Sequence, residues 1–237
     1  MILWQGQTPV TGRTEKIQAI ITGHETGKPT ANAKTGAMAT IWIDLVDVSP
    51  RDAQLDGSYK AACADCEHGA DFKNDCYAAR LPIRAHQATW KAHKKRGAVV
   101  ETLTRQHIDN ISRSGLRFGG DGDPSMLPPN LVKMLARVAA RAGWTGYTQQ
   151  WRKDKNQWLR HFLMASCDTI EDAEKAESLG WRAFYVRPKN SPLPANFTQC
   201  PAAKEGGRRT TCQRCNLCNG STGDNDRRRS ISTELHN

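Results

Sequence analysis

Apolar and polar positions alternate in short blocks along this chain, and the period of the blocks changes several times. Residues 17–22 and 38–46 are β-rich runs separated by Gly, Asn, Lys and Pro, which predicts the two strands of a hairpin with a long loop. Residues 81–96 predict a helix, with Pro82 in its opening turn and Gly97 just past its end. From there strand-like and helix-like blocks take turns. The run Leu116-Arg117-Phe118 ends in Gly119-Gly120-Asp121-Gly122-Asp123-Pro124, and residues 130–142 form an Ala, Leu and Val-rich helix closed by Gly143. Residues 144–148 read as a strand, 153–160 as a short helix and 162–166 as another apolar run. Asp168-Thr169 then cap a helix over 170–179 that Gly180 stops, with Ala173, Ala176 and Leu179 on its core face, and 181–186 return to strand.

Short strands alternating with helices of about ten residues predict parallel βα units. The expected fold is α/β: a partial (βα) barrel or open parallel sheet over residues 1–187, with the N-terminal β-hairpin at its start. A cysteine-rich metal-binding segment over 188–222 and a basic disordered tail over 223–237 follow, because Pro, Asn, Gly and Ser dominate beyond Pro188. Parallel strands end on one rim, where such folds keep their active sites, so residues 119–123, 146–148, 166–168 and Arg187 are expected there. Lys34, Arg117, Tyr147, Arg152, Asp168, Arg182 and Arg187 are the polar side chains placed near that rim, and Arg152 and Arg187 are suited to gripping a phosphate.

Composition narrows the setting. Hydrophobic content is 38%, mean hydropathy is -0.65, and no apolar run approaches the roughly 20 residues of a membrane span, so a soluble protein without a membrane partner is expected. Residues 1–10 lack the basic-then-apolar pattern of a secretory signal, which points to the cytoplasm. A net charge of +10 favours a nucleotide or nucleic acid as partner. Part of the excess sits in Arg208-Arg209 and Arg227-Arg228-Arg229, where a basic run also reads as a solvated tail, and residues 91–96 read equally as an exposed helix face.

The cysteines carry the chemistry. Seven of the eight fall into two groups of unequal size, Cys63-x2-Cys66-x9-Cys76-Tyr77 and Cys200-Pro201-x10-Cys212-x2-Cys215-x2-Cys218. In a reducing compartment clustered thiols read as metal ligands. Four thiolates close a site, whereas three leave a coordination position open. Three closely spaced sulfurs with a distant Cys-Pro are the ingredients by which bacterial ferredoxins hold a 4Fe-4S cluster, while zinc ribbons favour two separate knuckles. The first group reads either as a closed zinc site completed by His68 or as a 4Fe-4S cluster whose fourth iron binds a small molecule, S-adenosylmethionine being the candidate. Asp65 and Asp75 are further residues able to fill the open position. Cys167 fits neither group and reads as a buried small side chain.

The chain resembles a family of phage proteins of the gene-product-88 type. The shared marks are residues 32–38 (Asn32-Ala33-Lys34-Thr35-Gly36-Ala37-Met38), the first cysteine group with Tyr77, Gly122-Asp123-Pro124, Thr145-Gly146-Tyr147-Thr148 and Trp151-Arg152. They continue with Met164-Ala165-Ser166, Gly180-Trp181-Arg182, Cys200-Pro201-Ala202 and the closing cysteine run. That resemblance implies a phage protein in the host cytoplasm and no particular activity. The chain is also similar, more loosely, to radical S-adenosylmethionine enzymes. These carry three cluster cysteines after an early barrel strand and a Gly-Gly-Glu-Pro type motif at the next strand end. Here Gly120-Asp121-Gly122-Asp123-Pro124 holds the second place, with Asp where the family has Glu and without its usual Cys-x3-Cys-x2-Cys spacing.

This second resemblance implies that Gly120, Asp121 and Asp123 receive the cofactor's amino group, with Tyr77 stacked on its adenine and Ser166 and Arg187 nearby. The plainer readings are an ordinary turn or helix cap for the aspartates and packing for Tyr77. The expected function is an iron-sulfur, radical S-adenosylmethionine-like phage enzyme that modifies a nucleotide or nucleic acid. Its rivals are a non-catalytic nucleic-acid-binding phage protein braced by zinc and a redox-sensing regulator.

Overall fold

The computed structural model describes residues 1–25, 34–69, 76, 83–97 and 99–235. Three strands open the chain, β1 (Ile2–Gln7), β2 (Lys16–Thr22) and β3 (Ala39–Leu45), and pair antiparallel in that order. The helices α1 (Pro50–Asp56), α2 (Lys60–Cys63), α3 (Ile83–Lys95) and α4 (Arg105–Ser114) follow, and then β4 (Leu116–Arg117) joins β3 in parallel. After α5 (Pro129–Ala139), β5 (Trp144–Thr145) extends this first sheet to the order β1-β2-β3-β4-β5.

The second sheet is wholly parallel. It is built from β6 (Tyr147–Thr148), β7 (Met164–Cys167), α6 (Ile170–Ser178), β8 (Ala183–Arg187), β9 (Phe197–Gln199), the one-turn α7 (Cys212–Cys215) and β10 (Ser230–Glu234). Its strand order is β6-β7-β8-β10-β9. The protein is therefore α/β with one mixed and one parallel sheet, and the expected N-terminal strands are present. Only Gly146 separates β5 from β6, so residues 144–148 hand the chain from one sheet to the other. A Cβ on Gly146 would stand 2.5 Å from Leu163 Cδ2 and 2.8 Å from Phe118 Cβ, which is why the crossing point lacks a side chain.

Alternation on β3 divides its side chains between two layers. Ala39, Ile41, Ile43 and Leu45 enter the main core with Ile111, Phe118, Leu135, Trp151 and Trp181. Thr40, Trp42 and Asp44 face the other way, where α3 brings a buried stripe of His86, Trp90 and His93. Such i, i+4, i+7 spacing puts all three on one helix face. The expected helices at 81–96, 130–142 and 170–179 are found within a few residues as α3, α5 and α6, with residues 81–82 outside the described residues. Thr169 caps α6 by accepting from Asp172 N. The short helix expected at 153–160 is a 3₁₀ segment, Asp154–His161.

One expectation is overturned. Within the expected disordered tail, Ser230–Glu234 form β10, which lies between β8 and β9 with Ser230, Ile231, Ser232 and Thr233 all buried. The approach to it is anchored by Asp226, which accepts from Thr222 N and from Arg228 N, Nε and Nη2 at 2.6–3.0 Å. The Arg228 guanidinium holds the Asp226 carboxyl well below the usual carboxylate range. At least this arginine of the basic run serves the fold. Among the described residues no helix is long and apolar enough to cross a membrane.

Candidate metal centres at the strand ends

The Gly119 to Pro124 turn lies flat against β3. Gly120 N donates to Ile41 O at 2.7 Å and Ile43 N donates to Asp121 O at 3.0 Å, prolonging the pairing begun by β4. A Cβ on Gly120 would come within 2.6 Å of Thr40 Cγ2 and 2.9 Å of the Trp42 ring. Gly122, at φ +73°, would drive a Cβ into the Ile43 carbonyl. Asp123 caps the 3₁₀ turn Pro124–Met126 and accepts from Ser125 N, Thr148 Oγ1 (2.7 Å) and Gln149 N (2.8 Å). Its carboxylate therefore ties β4's turn to the end of β6, and burial raises its pKa. The plainer reading of Asp123, a cap, is the observed one.

The first cysteine group is stapled over this turn. Asp123 N donates to Ala62 O at 2.8 Å, and Gln150 Nε2 donates to Cys63 O at 3.3 Å. Burial first, and then the negative charges of Asp121, Cys66, Cys76 and Asp123, push the Cys63 thiol well above its ordinary value. The Cys66 thiol is pushed up to about 12, chiefly by burial, against the pull of the His68 N–H donated to its sulfur. Cys63 is therefore acted on by Cys66, Cys76, Asp121 and Asp123, the two aspartates standing on the turn that follows β4.

His68 Nε2 lies 2.9 Å from Asp168 Oδ2, just past the end of β7, so that nitrogen is engaged by a carboxylate and not by the cysteines. Asp65 pairs with Lys153 at 3.1 Å. Ser166 accepts from Gln149 Nε2 at 3.1 Å on the same rim. Tyr77 and Asp75 lie outside the described residues.

The second group is as compact. Cys200, Cys212, Cys215 and Cys218 line one cavity together with Tyr147 and Lys34. Lys34 O and Thr35 O accept from Cys212 N and Gln213 N, which ties residues 34–35 to the closing cysteine run. Burial pushes the Cys218 thiol up to about 12, although the Tyr147 hydroxyl donates to its sulfur. Cys212 is raised by burial and lowered by the charges of Lys34 and Arg117. The two knuckles share a construction. Cys66 accepts from the N–H of His68 and Cys215 from that of Leu217, each two residues on, although the positive-φ residues differ, Ala64 preceding Cys66 and the left-handed Asn216 following Cys215. Cys167 is buried and apart from both groups, as expected.

Several rim assignments change. Tyr147, Lys34 and Arg117 belong with the second cysteine group. Arg182 precedes β8, at the opposite strand end, and donates to Leu217 O, Gly220 O and Arg229 O, bracing the cysteine loop. Arg187 is buried and spends its guanidinium on Ser191 O, Ser232 Oγ and Glu234, so it fastens β10 instead of gripping a phosphate. Arg152 pairs with Asp172 at 2.5 Å and lies over the Trp151 ring. A cavity of about 610 Å³ opens at the amino ends of β8 and β10 among Arg160, Arg182, Asp226 and Arg228, and no cysteine lines it.

Sequence reasoning missed one cluster. Among the described residues, the one trio of metal-ligating side chains whose ligand atoms all lie within 4.8 Å of one another is Asp44, His86 and Asp121. His86 Nδ1 is 2.7 Å from Asp121 Oδ2, its Nε2 contacts Asp44 Oδ1, and its ring stacks on Trp42 at 4.9 Å. The two carboxylates raise the His86 pKa to about 10 against the opposing effect of burial. The available signals were a lone Asp on the polar side of β3 and the histidine stripe of α3. Neither a family model, nor a curated protein, nor a solved structure matches this chain.

Proposed function

We propose that this chain is an iron-sulfur enzyme of the radical S-adenosylmethionine type, of phage origin and working in the host cytoplasm, that modifies a nucleotide or nucleic acid. The observation that carries this reading is that Asp123 N donates to Ala62 O, which sets Cys63 beside the Gly120–Asp123 turn, where the charges of Asp121, Cys66, Cys76 and Asp123 act on its thiol. The donor sets fit the clusters. Thiolates around one zinc ion stand about 3.8 Å apart, given zinc-sulfur bonds of about 2.3 Å. Cubane corners hold thiolates farther apart, with one iron at each sulfur, so the sulfur separation within each group is what discriminates the two metals. The turn at Gly146 supports a partial barrel in which the two sheets continue one another.

Cys63, Cys66 and Cys76 would hold a cluster with one open corner, and Cys200, Cys212, Cys215 and Cys218 a closed one. The open cluster, when bound, supplies the electron that cleaves S-adenosylmethionine. The chain's own residues orient and enclose. Asp121 sets a negative charge beside Cys63 for an ammonium group, Asp123 fixes the turn that presents it, and Lys34 and Arg117 offset the charge of four thiolates at the second site. The net charge of +10 supports a phosphate-bearing substrate.

Anaerobic reconstitution tests the metal assignment. The expected result is a brown protein with broad absorbance at roughly 400 nm and about eight irons per chain. A colourless protein that holds two zinc ions and refuses iron would replace this reading with that of a zinc-braced nucleic-acid-binding protein.

A further inference from the structure

The Asp44, His86 and Asp121 cluster is unbalanced in charge. Asp44 is 3% exposed and the Asp121 side chain 11%, and one imidazolium between two such carboxylates leaves a net negative charge in the interior. Burying an uncompensated charge is costly. The charges that act most strongly on Asp44 are those of His86 and Asp121 themselves.

A second observation points into the same spot. Asp44, Gln54, Asp121 and Cys63 line a small cavity of about 20 Å³, and both Asp44 Oδ2 and Gln54 Oε1 are buried acceptor atoms without a hydrogen-bond donor. That space is enough for one water-sized occupant. Two buried acceptors on the walls of one cavity call for a donor or a cation within it.

We propose that Asp44, His86 and Gln54 hold a divalent first-row cation beside the first cysteine group, with Asp121 orienting the imidazole from its other nitrogen. The Nε2 of His86 and the carboxylate of Asp44 are the primary ligands, and Gln54 Oε1 completes the oxygen side. Asp121 at Nδ1 is the carboxylate that a metal-bound histidine usually carries behind it. With the imidazole neutral, a doubly charged cation balances both carboxylates. A donor set of carboxylate, amide oxygen and imidazole suits Mn²⁺ or Fe²⁺, whereas thiolates select softer ions. The site shares Asp121 with the iron-sulfur reading, and Cys63 lines the same small cavity, but its ligands are not cysteines, so Mn²⁺ binding is tested apart from iron binding.

Mn²⁺ is the probe, because it avoids the cysteines. Titration of the full chain, followed by loss of the free Mn²⁺ electron paramagnetic resonance signal, is expected to show one bound ion per chain and a rise in melting temperature with Mn²⁺ concentration. Asp44→Asn and Gln54→Leu should each weaken binding at least tenfold, while a Cys212→Ala/Cys215→Ala variant should keep it. Gln54→Leu, which leaves both carboxylates and His86 in place, decides the matter if Asp44→Asn fails to fold. No saturable Mn²⁺ binding to the wild-type chain, or binding unaltered in folded Gln54→Leu, overturns the proposal and leaves His86 as an imidazolium held between two carboxylates. If Mn²⁺ binds as expected while iron reconstitution fails, only the iron-sulfur reading falls.

Discussion

Truncation after Arg229 is expected to abolish the native fold, although it removes only a short polar stretch. The removed strand is an interior one. β10 is hydrogen-bonded to β8 from Ile231↔Phe184 to Glu234↔Arg187 and to β9 from Ser230↔Phe197 to Ser232↔Gln199. Ser232 O accepts from Cys200 N at 2.8 Å, and Ser230 Oγ accepts from Ala183 N at 2.9 Å. Glu205 Oε1 accepts from Thr233 Oγ1 and Glu234 N. Without β10, the two flanking strands lose their ladders, and the buried Arg187 guanidinium loses Ser232 and Glu234. Stranding a buried cation alone costs about 3–5 kcal/mol, a large part of a typical domain's 5–15 kcal/mol. The truncated chain should aggregate or lose its cooperative melting transition, as read by circular dichroism. A truncated protein that melts like the full chain would mean that β10 is dispensable.

Gly122→Ala is expected to be the most damaging single-atom-scale change near the first cysteine group. Its φ of +73° is a left-handed conformation that alanine adopts only with strain, and the new methyl would strike Ile43 O and Ile43 Cβ on β3. Overpacking and backbone strain together should cost about 2–4 kcal/mol. The effect reaches the site because Gly122 N donates to Asp121 Oδ1 and the flanking Asp123 caps the next turn. Iron retained by the first cysteine group should therefore fall while the second group keeps its own. Gly12→Ala, at φ +80° with nothing within 4 Å, isolates the backbone strain from the clash and should leave iron binding intact. Equal iron loss in both variants would contradict this assignment.

How much of this was legible beforehand differs by element, for physical reasons. α5 and α6 carry apolar positions at helical spacing, so their pattern was readable, whereas α3, whose buried face is His86, Trp90 and His93, was readable from Pro82 at its opening and Gly97 past its end. α1 has a capping Ser49, a Pro50 in its first turn and Gly57 at φ 78°, but only Pro50 and Ala53 are buried, leaving almost no periodic signal. α4 replaces the usual acidic partner of a capping box with His107, which accepts from the Thr104 backbone. β10 buries Ser, Ile, Ser and Thr in an interior parallel strand, where Val and Ile would be expected, and it follows three arginines. Its polar side chains are satisfied by Glu177, Arg187 and Glu205, partners distant in sequence.

The cysteine groups stand out in the sequence because a metal or cluster would require ligands at short, fixed spacings. The glycines around Asp121 were readable as a turn, but their reason, close approach to Trp42 and Ile43, appears only once β3 is alongside. Asp44 and His86 come from a strand and a helix with no shared motif, and only packing brings them together. The arginines were misjudged because a guanidinium can cap buried carbonyls as readily as it meets phosphate, and Arg182 and Arg187 do the former.

The central claim is that the first cysteine group presents an open cluster corner to a cofactor held at the Asp121 turn. Its most direct test is the release of 5'-deoxyadenosine from S-adenosylmethionine by the reduced, reconstituted protein, compared with a Cys76→Ala variant in which the second group is intact. The account predicts 5'-deoxyadenosine from the wild-type chain and none from the variant above a protein-free control. Equal amounts from both, or none from a wild-type protein carrying its full complement of iron, would contradict it.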